Sequence, residues 1–388
     1  MRLLLTGCAT AALVVSGPLT ASAAGNGPQG PVGGDQLTAK PTVVADGAAP
    51  PAVQASAYVV ADIDTGEVLA AKAPHAKLRP ASTLKTLTAL VLLPRLKKTD
   101  PVIGTDGDAG IIGSKVGVYP GLHYTVDLLF QGMFLASGND AVHALCMHDQ
   151  GGIEATTQRM NDKAKEHGAL DTHVTDPTGL DADGQFSSAY DLALFAKAGL
   201  AREDFAKYAS TKYTNFPNAG NKGTYQVANQ NKLLFNYDGA IGVKTGYTTL
   251  AHNTFVGAAR RNGHTLVVTM MNAPHGITQD ASSLLTWTFN NYGKLQPVGT
   301  LVKPDAQTKS ATGSTNQGSN NSSGSTNNPS DTRYPPHSRT VLSPGQAMQS
   351  LPFRVPAWAY AAPPVLLLSL FLRRPRTLRR QRRVRRAH

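Results

Sequence analysis

Cysteine is scarce in this sequence: Cys8 and Cys146 are the only two. If processing removes Cys8, no internal disulfide can form, and the folded part must stand on a hydrophobic core of its own. Acidic residues are absent from the last sixteen positions, which hold nine arginines between Arg373 and Arg386. Subtracting those nine from the net charge of +12 leaves +3 over the first 372 residues. The body of the protein is therefore near neutral and its basicity is a local tail, which argues against nucleic acid as a partner. Phosphate-cradling glycine loops, nucleotide motifs and internal repeats are also missing. A long clean apolar run is lacking too. The candidate at 355–372 is eighteen residues long and carries Pro356, Pro363 and Pro364.

Several segments can nevertheless be assigned. Residues 1–23 read as a secretory signal peptide, with Arg2, an apolar run from Leu3 to Val15 and an Ala21-Ser22-Ala23 cleavage site. "LTGC" at 5–8 also fits a lipobox, which would place a lipid on Cys8. A Gly/Pro/Ala-rich stretch at 24–55 predicts a flexible lead, and the Gly/Ser/Asn-rich stretch at 301–354 predicts a disordered tether. The apolar segment 355–372 with the arginine tail 373–388 fits a stop-transfer span with a cytoplasmic tail. A segment lying in the membrane interface is the other reading. The expected location is the outer face of the cell membrane.

The folded unit is expected at 56–300. "AYVVADIDTGEVLAAK" (57–72) reads as two strands around an Asp-Thr-Gly turn. "NTFVGAARRNGHTLVVTMMNA" (253–273) reads as a hairpin turning at Asn262-Gly263. "ASSLLTWTFNNY" (281–292) shows helical spacing, and the middle, about 100–200, is mostly helical. Strands at both ends with helices between them imply an α+β domain, an antiparallel sheet with a helical insert.

Three short motifs carry chemistry. "RPASTLKTLTALVLLP" (79–94) puts Ser82 and Lys85 three residues apart at the head of an apolar helix. Burial lowers a lysine's pKa, and an uncharged amine within reach of a hydroxyl activates it as a nucleophile. A helix starting at Ser82 would also aim its free N–H groups at that hydroxyl. "ASGNDA" (136–141) presents Ser137 and Asn139 on a turn between two apolar helices. "GVKTGYTT" (242–249) offers Lys244 and Thr245 on opposite sides of a strand, with Gly246 allowing close approach. A lysine and a hydroxyl together suit a carboxylate, and the Tyr247 N–H can join that of Ser82 in an oxyanion hole. Each motif is common alone. A lysine that snorkels beside a capping serine, a polar turn and a charged edge strand would account for them one at a time.

Together, in the order S-x-x-K, S-x-N and K-T-G, they resemble the signature of penicillin-recognising serine enzymes. The stretch 56–292 is similar to the D-alanyl-D-alanine carboxypeptidases, low-molecular-mass penicillin-binding proteins. Its opening hairpin, its "DPTGLDADGQF" segment and its "NQNKLLFNYDGAIGVKTGYTTLA" run add to the match. The resemblance implies a β-lactamase/transpeptidase-like fold with a five-stranded antiparallel sheet. It implies Ser82 as acylated nucleophile, Lys85 as base and Ser137 as proton relay to the leaving D-alanine. Asn139 would hold the substrate backbone, Lys244 and Thr245 its carboxylate, and the Tyr247 N–H would sit in the oxyanion hole, with Gly246 beside the substrate. The implied partners are a peptidoglycan stem peptide and β-lactam inhibitors, with no cofactor and no metal. Many members carry a basic residue just after the last strand; here His275 is nearest.

Other readings share parts of this pattern. A class A β-lactamase would need a Glu-x-x-Leu-Asn loop, and none of Glu154, Glu166 and Glu203 supplies one. A D,D-endopeptidase would use the same residues. A wall-binding protein on a dead fold would have no need of all three motifs. His143, Cys146 and His148 lie close in sequence, but their spacing fits a core cysteine with two histidines better than zinc.

Overall fold

The computed structural model describes residues 31–304. The expected signal peptide, the Cys8 site, nearly all of the tether, the 355–372 segment and the arginine tail lie outside the described residues. In chain order, β1 (Val43–Ala45), β2 (Ala57–Asp62) and β3 (Glu67–Lys72) precede a 3₁₀ turn (Ala81–Leu84) that runs into α1 (Lys85–Leu92). The helical region follows, with β4 (Pro101–Ile103), α2 (Asp106–Gly110), β5 (His123–Thr125), α3 (Val126–Leu135), α4 (Asn139–His148), α5 (Gly152–Glu166), α6 (Ala189–Leu200) and α7 (Glu203–Ser210). A hairpin of β6 (Tyr213–Pro217) and β7 (Thr224–Ala228) leads to α8 (Leu233–Asn236). The chain closes with β8 (Ala240–Thr248), β9 (His252–Arg261), β10 (His264–Ala273), α9 (Ile277–Asn290) and β11 (Gly299–Thr300).

The α+β class and the helical insert are as expected. The sheet has seven strands rather than five, in the order β1-β3-β2-β10-β9-β8, with β11 also on β3. β1 covers Ala70–Lys72 and β11 covers Glu67–Val68, so these two short strands share the outer edge of β3. They shield backbone groups that an open edge would leave unpaired. The segment expected to be a flexible lead is seated on the domain from residue 31 onward. Leu37 is fully buried, β1 pairs β3, and the Val32 carbonyl lies 2.9 Å from His75 Nε2. Its single leucine and short apolar pair are enough to anchor it, despite a composition that suggests a linker.

The apolar core lies on both faces of the sheet, which explains why β2 is buried along its whole length. Alternation sorts its side chains: Val59 and Ala61 join the cluster shared with α1 and α6, while Tyr58 and Val60 join the one beneath α9. Leu284 and Leu285 of α9 are both fully buried, each contributing roughly 1.5–3 kcal/mol. The two expected hairpins form as read. Asp62 Oδ1 accepts from the Asp64 and Thr65 N–H groups in the first turn. Asn262 and Gly263 both take positive φ, 51° and 82°, in the second.

Candidate active site

Ser82 does not begin an α-helix. It sits in the 3₁₀ turn, and α1 starts at Lys85. With three residues per turn, positions i and i+3 stand directly above one another, so the turn brings the two side chains together better than an α-helix would. Ala81, just before Ser82, has φ 47°, a strained conformation of the kind found where a site over-determines its backbone. Neighbours hold it there. The Pro80 carbonyl accepts from Thr83 Oγ1 at 2.5 Å and from Thr254 Oγ1 of β9 at 2.8 Å. Gly179 presses so closely on the Ala81 carbonyl that a Cβ would collide with it.

Lys85 is 1% exposed, and its Nζ has three neighbours. Ser82 Oγ is 2.9 Å away, Asn139 Oδ1 2.7 Å and the Thr178 carbonyl 2.6 Å. The Asn139 amide cannot be reversed, because its Nδ2 donates to the Ile112 carbonyl at 2.8 Å. Two of the three neighbours are thus acceptors only. An uncharged amine has two N–H groups and one lone pair, which matches two carbonyl-type oxygens and one hydroxyl donor. Burial, reinforced by the Lys244 charge, holds the Lys85 pKa well below the usual lysine range, while Asp176 and Asp140 pull the other way. Asp140 is itself fully buried, its carboxylate accepting from the N–H groups of Val116, Gly117 and Val118. It thereby pins the loop that carries Ile112 and Ser114 against α4.

Ser137 lies on the turn between α3 and α4, with φ 59° and its Oγ buried without a hydrogen-bond partner among the described residues. A hydroxyl left in that state is expensive unless a ligand meets it. Lys244 and Thr245 diverge on β8, the last strand of the sheet. Thr245 faces the cleft, whereas Lys244 is 1% exposed and donates to the Thr245 carbonyl at 2.9 Å. Burial lowers its pKa to about 7. Tyr247 is 63% exposed at the cleft mouth.

The cleft has a volume of ≈ 520 Å³, and Ser82, Ser137, Thr245, Gly246 and Tyr247 line it. Lys85 is buried against Ser82, Asn139 against Lys85, and Lys244 beside Thr245 and near Lys85, so all eight expected residues come together in one place. The Asn139 amide is engaged with Lys85 and Ile112, and Lys244 is buried rather than part of the cleft wall. His275 is exposed and does not line the cleft, whereas Lys232 does. Sequence reasoning did not find Ser114, Gln230, Lys232, Asn253 or the start of α9, which complete the wall. The His143, Cys146 and His148 side chains go separate ways. His143 pairs with Asp108 at 2.6 Å and His148 lies 3.8 Å from Asp100, while burial raises the Cys146 thiol to about 12.

Gly246 is required by contact rather than by φ. A Cβ there would lie 2.8 Å from the Ser82 nitrogen and 2.9 Å from that of Thr83. Gly246→Ala is therefore expected to shift Ser82 and lower kcat/KM by about 10²-fold, the usual cost of a misplacement near 1 Å. Steady-state kinetics beside a thermal melt check this: a folded variant with unchanged kcat/KM would show that the close approach is incidental.

Comparison with known proteins agrees with this arrangement. Residues 44–275 match the family model described as D-alanyl-D-alanine carboxypeptidase. The curated D-alanyl-D-alanine carboxypeptidase DacB2 of Mycobacterium tuberculosis is 40% identical over 245 residues, covering 61% of this chain and 82% of the relative. DacF of Bacillus subtilis is 33% identical over 246 residues, covering 62% of this chain and 63% of the relative. Among solved structures, an evolved putative penicillin-binding protein homolog from Mycobacterium tuberculosis is 38% identical with a TM-score of 0.63, covering 66% of this chain and 100% of that one. The Streptomyces K15 DD-transpeptidase is 27% identical with a TM-score of 0.60, covering 63% and 100%. With the matched segment making up more than half of its length, the chain belongs to the D-alanyl-D-alanine carboxypeptidase family of serine peptidases.

Proposed function

We propose that this protein removes the terminal D-alanine from peptidoglycan pentapeptides through an acyl-enzyme on Ser82. The observation that carries the reading is the Lys85 amine, buried and low in pKa, 2.9 Å from the Ser82 hydroxyl and held by two acceptors. In the first step the Lys85 lone pair takes the Ser82 proton as Oγ attacks the scissile carbonyl. The Ser82 and Tyr247 N–H groups receive the oxyanion. The proton passes through Ser137 to the departing amine, so D-alanine leaves neutral at nitrogen. In the second step water attacks the ester, and Lys85 again takes the proton and returns it to Ser82.

Substrate binding follows from the same wall. β8 is an edge strand, which suits pairing with an extended peptide. Thr245 offers its hydroxyl to the terminal carboxylate, and Lys244 behind it supplies positive charge. Gly113 leaves no room for a side chain, since a Cβ there would lie 2.6 Å from Asn139 Nδ2, so the loop stays close over the base. A β-lactam presents the same carboxylate and carbonyl and acylates Ser82. Among the described residues no glutamate or aspartate lines the cleft to activate a second water, which favours a long-lived adduct over lactamase turnover.

The direct test incubates the protein with a D-Ala-D-Ala-terminated pentapeptide and a cross-linked dimer side by side. Free D-alanine from the pentapeptide is the expected product. Cleavage of the dimer alone would make the enzyme an endopeptidase, and transfer to an added amine without hydrolysis would make it a transpeptidase.

Export through 1–23 and attachment through 355–372 complete the proposal. The apolar run followed by nine arginines supports it. Among the described residues no helix is long and apolar enough to cross a membrane. Removing 303–388 is expected to move the active domain from the membrane fraction to the soluble one. A truncated protein that still sediments with membranes would overturn the anchor.

A further inference from the structure

A second groove, ≈ 930 Å³ in volume, continues from the catalytic cleft and shares Lys232, Thr278 and Gln279 with it. Its far part is lined by Asn236 and Tyr237 at the end of α8 and by Ser283, Thr286, Trp287 and Asn290 of α9. Apart from the apolar Ala49 and Pro51 and the charged Lys232, the lining consists of side-chain amides, hydroxyls and two aromatic rings. Among the lining residues only Lys232 is charged, and it sits where the two depressions meet.

The aromatic wall is fixed in place. The Arg261 guanidinium lies 4.3 Å from the Tyr237 ring centroid and 5.1 Å from that of Phe289. Arg261 is held in turn by two donations to the Asp238 carbonyl, at 2.9 and 2.8 Å. The Tyr237 hydroxyl is 3.1 Å from Thr286 Oγ1. Trp287 is half-buried, and its Nε1 is buried with no hydrogen-bond partner among the described residues. Pre-positioned rings of this kind bind a ligand without the entropic cost of ordering them first.

We infer that this groove binds the glycan of the substrate, an N-acetylated amino-sugar chain, while the stem peptide occupies the catalytic cleft. The inference rests on the peptidoglycan-cutting function proposed above. A sugar presents many neutral hydroxyls, acetamido groups and C–H-rich ring faces, and these match neutral amides, hydroxyls and flat aromatic surfaces. The lining has no carboxylate to meet a cationic peptide. It also has no strand edge: β8, the edge strand, borders the cleft and not this groove, so an extended peptide would find no backbone ladder here. Continuity with the cleft places the occupant on the same substrate molecule.

The test measures kcat/KM of the full chain for a disaccharide-pentapeptide released by a muramidase and for the same pentapeptide without sugar. The wild type is expected to prefer the sugar-bearing substrate by about tenfold, mostly through KM. With Asn236→Leu and Asn290→Leu together, both exposed positions, the ratio is expected to approach one. Trp287→Ala is expected to do the same, with benzylpenicillin acylation as the check on folding. Equal kcat/KM for the two substrates in the wild type overturns the inference without any variant. So does a preference that survives the double substitution, or one that tracks a sugar-free cross-linked peptide instead. Failure of the wild type to release D-alanine from either substrate would overturn the proposed function rather than the groove.

Discussion

Ser82→Ala is expected to lower D-alanine release by at least about 10⁴-fold and to abolish the covalent penicillin adduct seen by mass spectrometry. Six other residues with hydroxyls line the cleft: Ser114, Ser137, Thr245, Tyr247, Thr254 and Thr278. Among the described residues only Ser82 Oγ lies within hydrogen-bond distance of an amine. Ser137 has the opposite situation, a buried hydroxyl with no hydrogen-bond partner among the described residues, which suits a relay and not an attacking group. The fold should tolerate the change. The turn is held by the Pro80 carbonyl, Thr83 and Thr254 rather than by Ser82 Oγ. A variant that keeps its melting temperature but loses the adduct fits the account. An adduct that persists and maps to residue 137 or 245 would require another nucleophile.

Replacing Lys85 with alanine should cost nearly as much, since nucleophile and base act as a unit. Lys85→Arg is the sharper experiment. It preserves positive charge, but a guanidinium stays protonated and cannot accept the Ser82 proton. The account therefore expects arginine to be as inactive as alanine, whereas a lysine acting only as a charge would be partly replaced. The pH dependence follows from the two lysines. Lys85 must lose its proton, so kcat/KM rises through its lowered pKa as pH increases. Lys244 must keep its proton to attract the substrate carboxylate, so kcat/KM falls as pH passes about 7 in the free enzyme. Burial and the nearby Lys244 charge both favour the uncharged form of Lys85. In the enzyme–substrate complex the bound carboxylate favours the charged form of Lys244, so kcat keeps the rising limb and loses the falling one. A substrate with an amide in place of the terminal carboxylate should flatten the falling limb of kcat/KM. A kcat that declines between pH 6 and 9 would contradict the assignment of Lys85 as base.

The reacting side chains were legible because their chemistry depends on residue type and on short spacing. Ser82 and Lys85 are three apart, and Lys244, Thr245 and Gly246 are consecutive on a strand, so local geometry forces their placement. The turn at Ser137 could be read from the helical patterns on either side. The groups that set the state of the base were not legible. The carbonyls of Thr178 and Ile112 act through backbone oxygens, which any residue could supply at those positions. Glycine is the only visible trace of that packing, at Gly179 and Gly113, where side chains would strike Ala81 and Asn139. β1 and β11 escaped notice because three and two residues carry no periodicity. The apolar alternation of β2 and β10 was obscured because both faces of the sheet are covered. Lys232 and the start of α9 reach the cleft only through long-range folding, and no local pattern marks them.

The charge state of Lys85 tests the central claim most directly. Lysine side chains labelled with ¹³C and ¹⁵N, assigned by comparison with Lys85→Arg, can be titrated by NMR from pH 5 to 11. The account predicts that the Lys85 side chain takes on the chemical shifts of a neutral amine well below the pH at which exposed lysines titrate, near their ordinary value of about 10.4. A Lys85 ammonium that persists to pH 10 would contradict it, because no group near Ser82 could then take the proton.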